Sequence, residues 1–164
     1  MTQPEIAPAR EADVPLILSL ITELAEFEKL KDQVVATEAN LKESLFGPRP
    51  SAEALIARSD GTCAGFALYF HNFSTFLGRR GLYLEDLYVR PAFRGRAIGK
   101  ALLAHLARLA VERGCGRFEW AVLDWNGAAR DFYESLGAKA NPTWVSYRLT
   151  GDALERLARG SLAG

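Results

Sequence analysis

Apolar residues recur at helical spacing over residues 14–27, where Leu16, Ile17, Leu20, Ile21, Leu24 and Phe27 form one stripe behind Asp13, a suitable helix cap. A shorter stripe, Leu41 and Leu45, starts from Thr37 and stops at Gly47-Pro48. The pattern then changes to strands over 52–58 and 63–70, joined by Ser59-Asp60-Gly61-Thr62, a tight hairpin signal. A short strand around Ile6 precedes them, and Pro8 places it at a sheet edge or end. Residues 71–80, HNFSTFLGRR, read as an aromatic loop.

Residues 82–99, LYLEDLYVRPAFRGRAIG, organise the rest of the chain. They predict a strand that passes through a basic turn into an amphipathic helix ending near Gly114. Leu82, Leu84, Leu87 and Val89 nearly alternate, but the alternation slips at Glu85-Asp86, as it does in a bulged strand. Downstream the sequence predicts a strand over 117–123, a helix over 126–136 closed by Gly137, a strand over 144–149 and a short helix over 151–159. One β-α-β crossover within an antiparallel meander predicts an α/β (α+β) fold. Its mixed, mostly antiparallel sheet is flanked by helices in a single domain spanning 1–164.

The chain balances 20 basic against 20 acidic residues, so no overall field draws it to nucleic acid or to a membrane. With no apolar run of bilayer length and no basic-apolar leader, a soluble cytoplasmic protein is expected. Cys63 and Cys115 lack metal-ligand spacing, so both are expected to be reduced and packed, and no metal site is expected. His105 stands among Leu102, Leu103, Leu106 and Leu109 as a packed imidazole, and His71 has no evident partner. Phe73, Phe76, Trp120, Trp125 and Trp144 read as core or dimer contacts rather than a cofactor stack.

Candidate chemistry gathers in the organising stretch. Arg94, Gly95, Arg96 and Gly99 form a turn that opens a helix, where free N–H groups, the helix dipole and two arginines favour a phosphate. The segment GRAIGKA is one residue short of a P-loop and Ala101 offers no hydroxyl for magnesium, while Ala97 interrupts any G-x-G-x-x-G fingerprint. Glu85 and Asp86 are adjacent strand carboxylates, directed to opposite faces unless the bulge rotates one of them.

Residues 94–99 match [RQ]-x-x-G-x-[GA] except at Ala97, and this resembles the coenzyme signature of the Gcn5-related N-acetyltransferases (GNAT). Three strings in order, EIAPAREADVPLILSLITELAEFEKL, GLYLEDLYVRPAFRGRAIGKALL and LDWNGAARDFYESLGA, are similar to the diamine and spermidine/spermine branch. The resemblance implies an acetyl-CoA-dependent transfer to a primary amine by direct attack, with central parallel strands splayed around the pantetheine arm. It assigns that arm to Leu87, Tyr88 and Val89, with the backbone of Leu87 and Val89 pairing to it. It assigns the pyrophosphate to Arg94, Gly95, Arg96, Ala97, Ile98, Gly99 and Lys100, and further coenzyme contacts to Asn126, Ala128 and Ala129. Tyr133 would face the thioester sulfur as proton donor, and Glu85 would take the amine proton. Asp86, Glu28, Glu119 and Phe27 would line the amine path, with Phe27 standing where the branch has a tyrosine. The Ala97 methyl would crowd the pyrophosphate unless its φ is negative. A small cationic amine and a homodimer are the expected partners. Protein or aminoglycoside acetylation and a non-catalytic acyl-CoA-binding module remain open on the same scaffold.

Overall fold

The computed structural model describes residues 3–160. Its contacts form two compact units, Met1–Leu123 and Asp124–Gly164. The first holds one five-stranded sheet in the order β1-β2-β3-β4-β5. Strands β1 (Glu5–Pro8), β2 (Glu53–Ser59), β3 (Thr62–Ser74) and β4 (Arg79–Val89) run antiparallel in turn, and β5 (Phe118–Trp120) lies parallel to β4.

Helices α1 (Val14–Phe27) and α2 (Glu38–Phe46) cover one sheet face. Val14, Ile17, Leu20 and Leu24 of α1 and Leu41 and Leu45 of α2 pack with Ala54, Ile56, Phe66 and Tyr88. Thr37 caps α2 reciprocally, its hydroxyl accepting from Asn40 N at 3.1 Å while the Asn40 side-chain oxygen accepts from Thr37 N at 3.0 Å. Asp13 does not cap α1. Its carboxylate accepts instead from Arg10 N at 2.8 Å and from Arg58 at 3.2 Å, closing a 3₁₀ turn and tying it to β2.

The alternate residues Leu55, Ala57 and Ala67 are buried on the other face. There α3 (Ile98–Glu112) brings Leu102, Leu103, Leu106 and Ala110 into the core. Arg113, just after α3, donates to both Glu53 carboxylate oxygens at 2.6 and 2.9 Å, anchoring the helix end to β2.

The structure revises the sequence reading at several elements. Residues 71–74 and 79–80 extend β3 and β4, so the expected aromatic loop reduces to a four-residue turn at 75–78. Cross-strand pairing through Ser74↔Arg79 outweighs the loop-like composition. Pairing also confines the expected strand over 117–123 to Phe118–Trp120. Asp60 (φ 50°) and Gly61 (φ 77°) give the β2-β3 hairpin two left-handed central residues, the primed turn that Asp-Gly signals.

The second unit holds α4 (Gly127–Ser135) and α5 (Gly151–Ala158). Residues 144–149 form no strand, and Trp144, Val145 and Tyr147 are exposed. Their β-forming composition is insufficient because a strand needs a partner backbone, and none of the described residues pairs with this segment.

Candidate active site

The ladder between β3 and β4 runs in one register from Ser74↔Arg79 to Tyr69↔Leu84 and in another from Leu68↔Asp86 to Gly65↔Val89. Glu85 is the extra residue of a β-bulge. Before the bulge, Leu82 donates its N–H to Arg117 O beside β5 at 3.0 Å; after it, Arg90 donates to Ala64 O of β3 at 2.8 Å. By alternation Asp86 and Tyr88 also turn their backbone toward β3, so the N–H and C=O groups of Leu87 and Val89 point away from it. Pairing with β5 ends at Leu84↔Trp120, and among the described residues no strand pairs with that edge of β4 beyond it. The two parallel strands therefore part where an extended ligand backbone could take the place of a strand.

The same bulge settles the face on which Asp86 lies. Asp86 lies in register with Leu68 and Ala54 and shares their face, the one covered by α1 and α2. Burial, then Glu85, then Glu28 push Asp86 from an ordinary 3.8 up to about 6. Burial and Glu85, followed by Glu119, also raise the Tyr83 phenol, and burial raises Glu28 at the end of α1. Asp86 thus lies in the field of both Glu85 and Glu28, and Tyr83 in that of Glu85 and of Glu119, its partner in β5. Glu119 accepts from Asn72 at 3.4 Å and lies 4.0 Å from Arg117. Such a wall favours a cation.

At the end of β4 the chain turns through Pro91–Phe93 into α3. Gly95 (φ 77°) and Ala97 (φ 59°, ψ 19°) are both left-handed. The first N–H past the turn to enter the helix ladder is that of Ala101, which donates to Ala97 O at 2.9 Å. The N–H groups of residues 95–100 thus make a concave donor set at a helix start, which fits a phosphate. Ala97 does not take the negative φ that would keep its methyl clear of a phosphate. It occupies instead the conformation that the signature's glycine adopts without strain.

The Arg94 side chain turns toward α1. Its Nε donates to Val89 O at 3.0 Å, and its guanidinium lies 4.9 Å from the Phe27 ring centre and 5.9 Å from that of Tyr88. Arg90 grips Glu23 of α1 through two bonds, at 3.1 and 2.8 Å, and these hold the Glu23 carboxyl below its ordinary range. Two arginines thus fasten α1 to β4 beside the carboxylates. Neither clasp is legible locally, because the partners, Arg90 with Glu23 and Arg94 with Phe27, are 67 residues apart in both. Tyr83 was likewise hidden in the sequence as an ordinary strand aromatic.

In the second unit, Asn126 caps α4, its side-chain oxygen accepting from Ala129 N at 3.3 Å, and Arg130 donates to Asp124 O at 3.3 Å. Ala128, Ala129 and Tyr133 lie on α4, where the Tyr133 ring stands 5.6 Å from that of Phe132. Among the described residues no group of His, Cys, Asp and Glu could hold a metal, and both cysteines are free. No helix among them is long and apolar enough to cross a membrane.

Comparison with known proteins places this geometry. Residues 19–138 match the model of the acetyltransferase (GNAT) family. A thialysine N-epsilon-acetyltransferase of Sus scrofa is 42% identical over 164 aligned residues, covering 93% of this chain and 96% of the relative. An L-ornithine N5-acetyltransferase of Arabidopsis thaliana is 34% identical, covering 91% of this chain and 85% of its own. Among solved structures, an integron cassette protein from the mobile metagenome of V. cholerae superposes with a TM-score of 0.80 at 28% identity, covering 97% of this chain and 99% of that one.

Proposed function

This chain belongs to the acetyltransferase (GNAT) family and is an N-acetyltransferase, and from that premise we propose that it acetylates a small, positively charged primary amine with acetyl-CoA as donor. The observation that carries the substrate class is the Glu85 bulge, which gathers Glu85, Asp86 and Glu28 into one wall beside an unpaired strand edge. Thialysine and ornithine, the substrates in the relatives' names, each join an amine to a chain that a carboxylate wall can grip.

Acetyl-CoA supplies the acyl group as an activated thioester. The N–H groups of Gly95 to Lys100 hold its diphosphate, and Leu87 and Val89 offer a donor and an acceptor to its amide arm. The carboxylates orient the ammonium, and Glu85 or Asp86 takes its proton so that a neutral amine can attack; an acid near pH 6 is well matched to that task. Tyr133 donates a hydrogen bond or a proton to the departing sulfur, while Asn126, Ala128 and Ala129 border the coenzyme from the start of α4. Phe27 closes the apolar side of the amine path, and Glu119 borders its acidic side.

The family match crosses residue 123, which supports reading 1–164 as one catalytic domain. Exposed Trp144, Val145 and Tyr147 support a homodimer, to be tested by sedimentation at micromolar concentration. Free thiols support a cytoplasmic location. A thiol-release assay over thialysine, ornithine, lysine, diamines and polyamines tests the activity. Turnover on short cationic amines is expected, and silence on all of them together with turnover on peptides or aminoglycosides would replace this substrate class.

A further inference from the structure

Between the bulge and the β3-β4 turn, the sheet face that bears Asp86 changes from acidic to basic. By alternation Leu68, Phe70, Asn72 and Ser74 of β3 share that face, and the register sets Tyr83 of β4 and Glu119 of β5 beside them. The core under α1 and α2 takes in Phe66 and Leu68 but not Phe70, Asn72 or Tyr83, which are only half-buried. Gly81 faces Asn72 across the ladder, and a Cβ there would come within 2.4 Å of the Asn72 side-chain oxygen. Its absence lets the amide lie across β4 and donate to Glu119 at 3.4 Å. Arg117, two residues before Glu119 and so on the same face, donates to Ser74 Oγ at 2.7 Å; that oxygen also accepts from Leu77 N at 3.2 Å. This bracket spreads the guanidinium over the strip, with its other terminal nitrogen 4.0 Å from Glu119. Arg79, opposite Ser74, adds a second positive charge at that end. Arg90 and Arg113 each grip a carboxylate through two hydrogen bonds of 2.6–3.1 Å. Arg117 makes none among the described residues, so its fork is held by a hydroxyl while its capacity for a carboxylate is unspent.

The spacing of these groups defines a substrate shape. Two residues of strand, about 7 Å, separate the row of Asp86 from that of Glu119, and two more reach Asn72 beneath the Arg117 guanidinium. An extended four-methylene chain places an ω-ammonium about 6 Å from its α-carbon. A chain lying along the strip with its ω-amine at Glu85 and Asp86 therefore brings an α-ammonium to Glu119 and an α-carboxylate to Arg117. A diamine or polyamine offers Arg117 only repulsion. We propose that this enzyme selects α-amino acids that carry a second amine on the side chain, with Arg117 reading the α-carboxylate and Glu119 the α-ammonium. This rests on the amine-acetylation reading above and narrows it, since Glu28, Glu85 and Asp86 account for a cation but not for a carboxylate.

Steady-state acetylation of lysine, 1,5-diaminopentane and 6-aminohexanoate by the full chain tests the proposal, because the second lacks only the carboxylate and the third only the α-amine. Wild type should favour lysine about tenfold in kcat/KM over each, the worth of one charge-assisted contact at a half-exposed site. Arg117→Gln should bring lysine down to the value for 1,5-diaminopentane, mostly through KM, and Arg117→Lys, which keeps the charge, should restore part of the preference. Glu119→Gln should bring lysine down to the value for 6-aminohexanoate. An Arg117 that only braces the β3-β4 turn would, on substitution, lower all three substrates alike. That result, or a wild type that uses 1,5-diaminopentane or polyamines as well as or better than lysine, would overturn the proposal while leaving amine acetylation intact. Silence of wild type on every amine would overturn the amine reading itself, and the proposal with it.

Discussion

Asp86→Asn should make the protein more stable and a worse enzyme. Ionised Asp86 lies half-buried beside two other carboxylates, without an ion-pair partner among the described residues, and its carboxyl is pushed from 3.8 to about 6. A rise of that size means that ionisation is opposed by about 3 kcal/mol in the folded state. Because the folded value lies above the unfolded one, the stability contributed by this group is full below pH 3.8. It is lost as pH rises through about 6. Asparagine removes the charge but brings an amide whose own hydrogen bonds are incompletely met, a cost of about 1 kcal/mol. The net gain at pH 8 is therefore about 1–2 kcal/mol, or roughly 3–6 °C in Tm for a chain of this size. Urea melts of wild type and variant between pH 4 and 8 provide the assay, since their difference cancels the titrating groups remote from Asp86. The gap should open between pH 4 and 7 and then level off. The amine KM should rise about tenfold, as expected when one charge-assisted contact to the ammonium is lost. A variant less stable than wild type at pH 8, or a gap independent of pH, would refute a buried ionised Asp86.

Ala97→Gly should stabilise the chain by about 1 kcal/mol, because alanine is strained at φ 59° and glycine is not; chemical denaturation checks the sign. Gly65→Ala should destabilise it by about 1–3 kcal/mol, since an added methyl would come within 2.3 Å of Tyr88 O in the neighbouring strand. The same melt measures this effect. Tyr133→Phe should lower kcat by about a hundredfold with coenzyme A affinity held within twofold, the signature of a lost proton donor; steady-state kinetics beside calorimetry separate the two.

Much of the fold was legible because it depends on local pattern. The stripe through Ile17, Leu20 and Leu24, the Thr37 cap, the Asp60-Gly61 turn and the run into α3 each encode their geometry within a few residues, through burial periodicity and backbone preference. Even the bulge left a trace, since alternation slips where a residue is added. The phosphate turn was equally readable, because glycines and a helix start are contiguous in the chain.

What the tertiary structure decided was everything that depends on a partner distant in sequence. Residues 71–74 and 79–80 became strand because β3 and β4 pair there, whereas residues 144–149 found no partner among the described residues and stayed irregular. The register of β3 against β4, not the order of the letters, turned Asp86 toward Glu28 and left the Leu87 and Val89 backbone facing an edge that no described strand pairs with. Arg94 leans over Phe27, and Arg117 reaches Ser74 beside Glu119, only because the sheet carries these segments together. The physical reason is that propensity and periodicity act within one or two turns of chain. Charge repulsion, burial and hydrogen-bond partnership are set by distances that exist only once the sheet has formed.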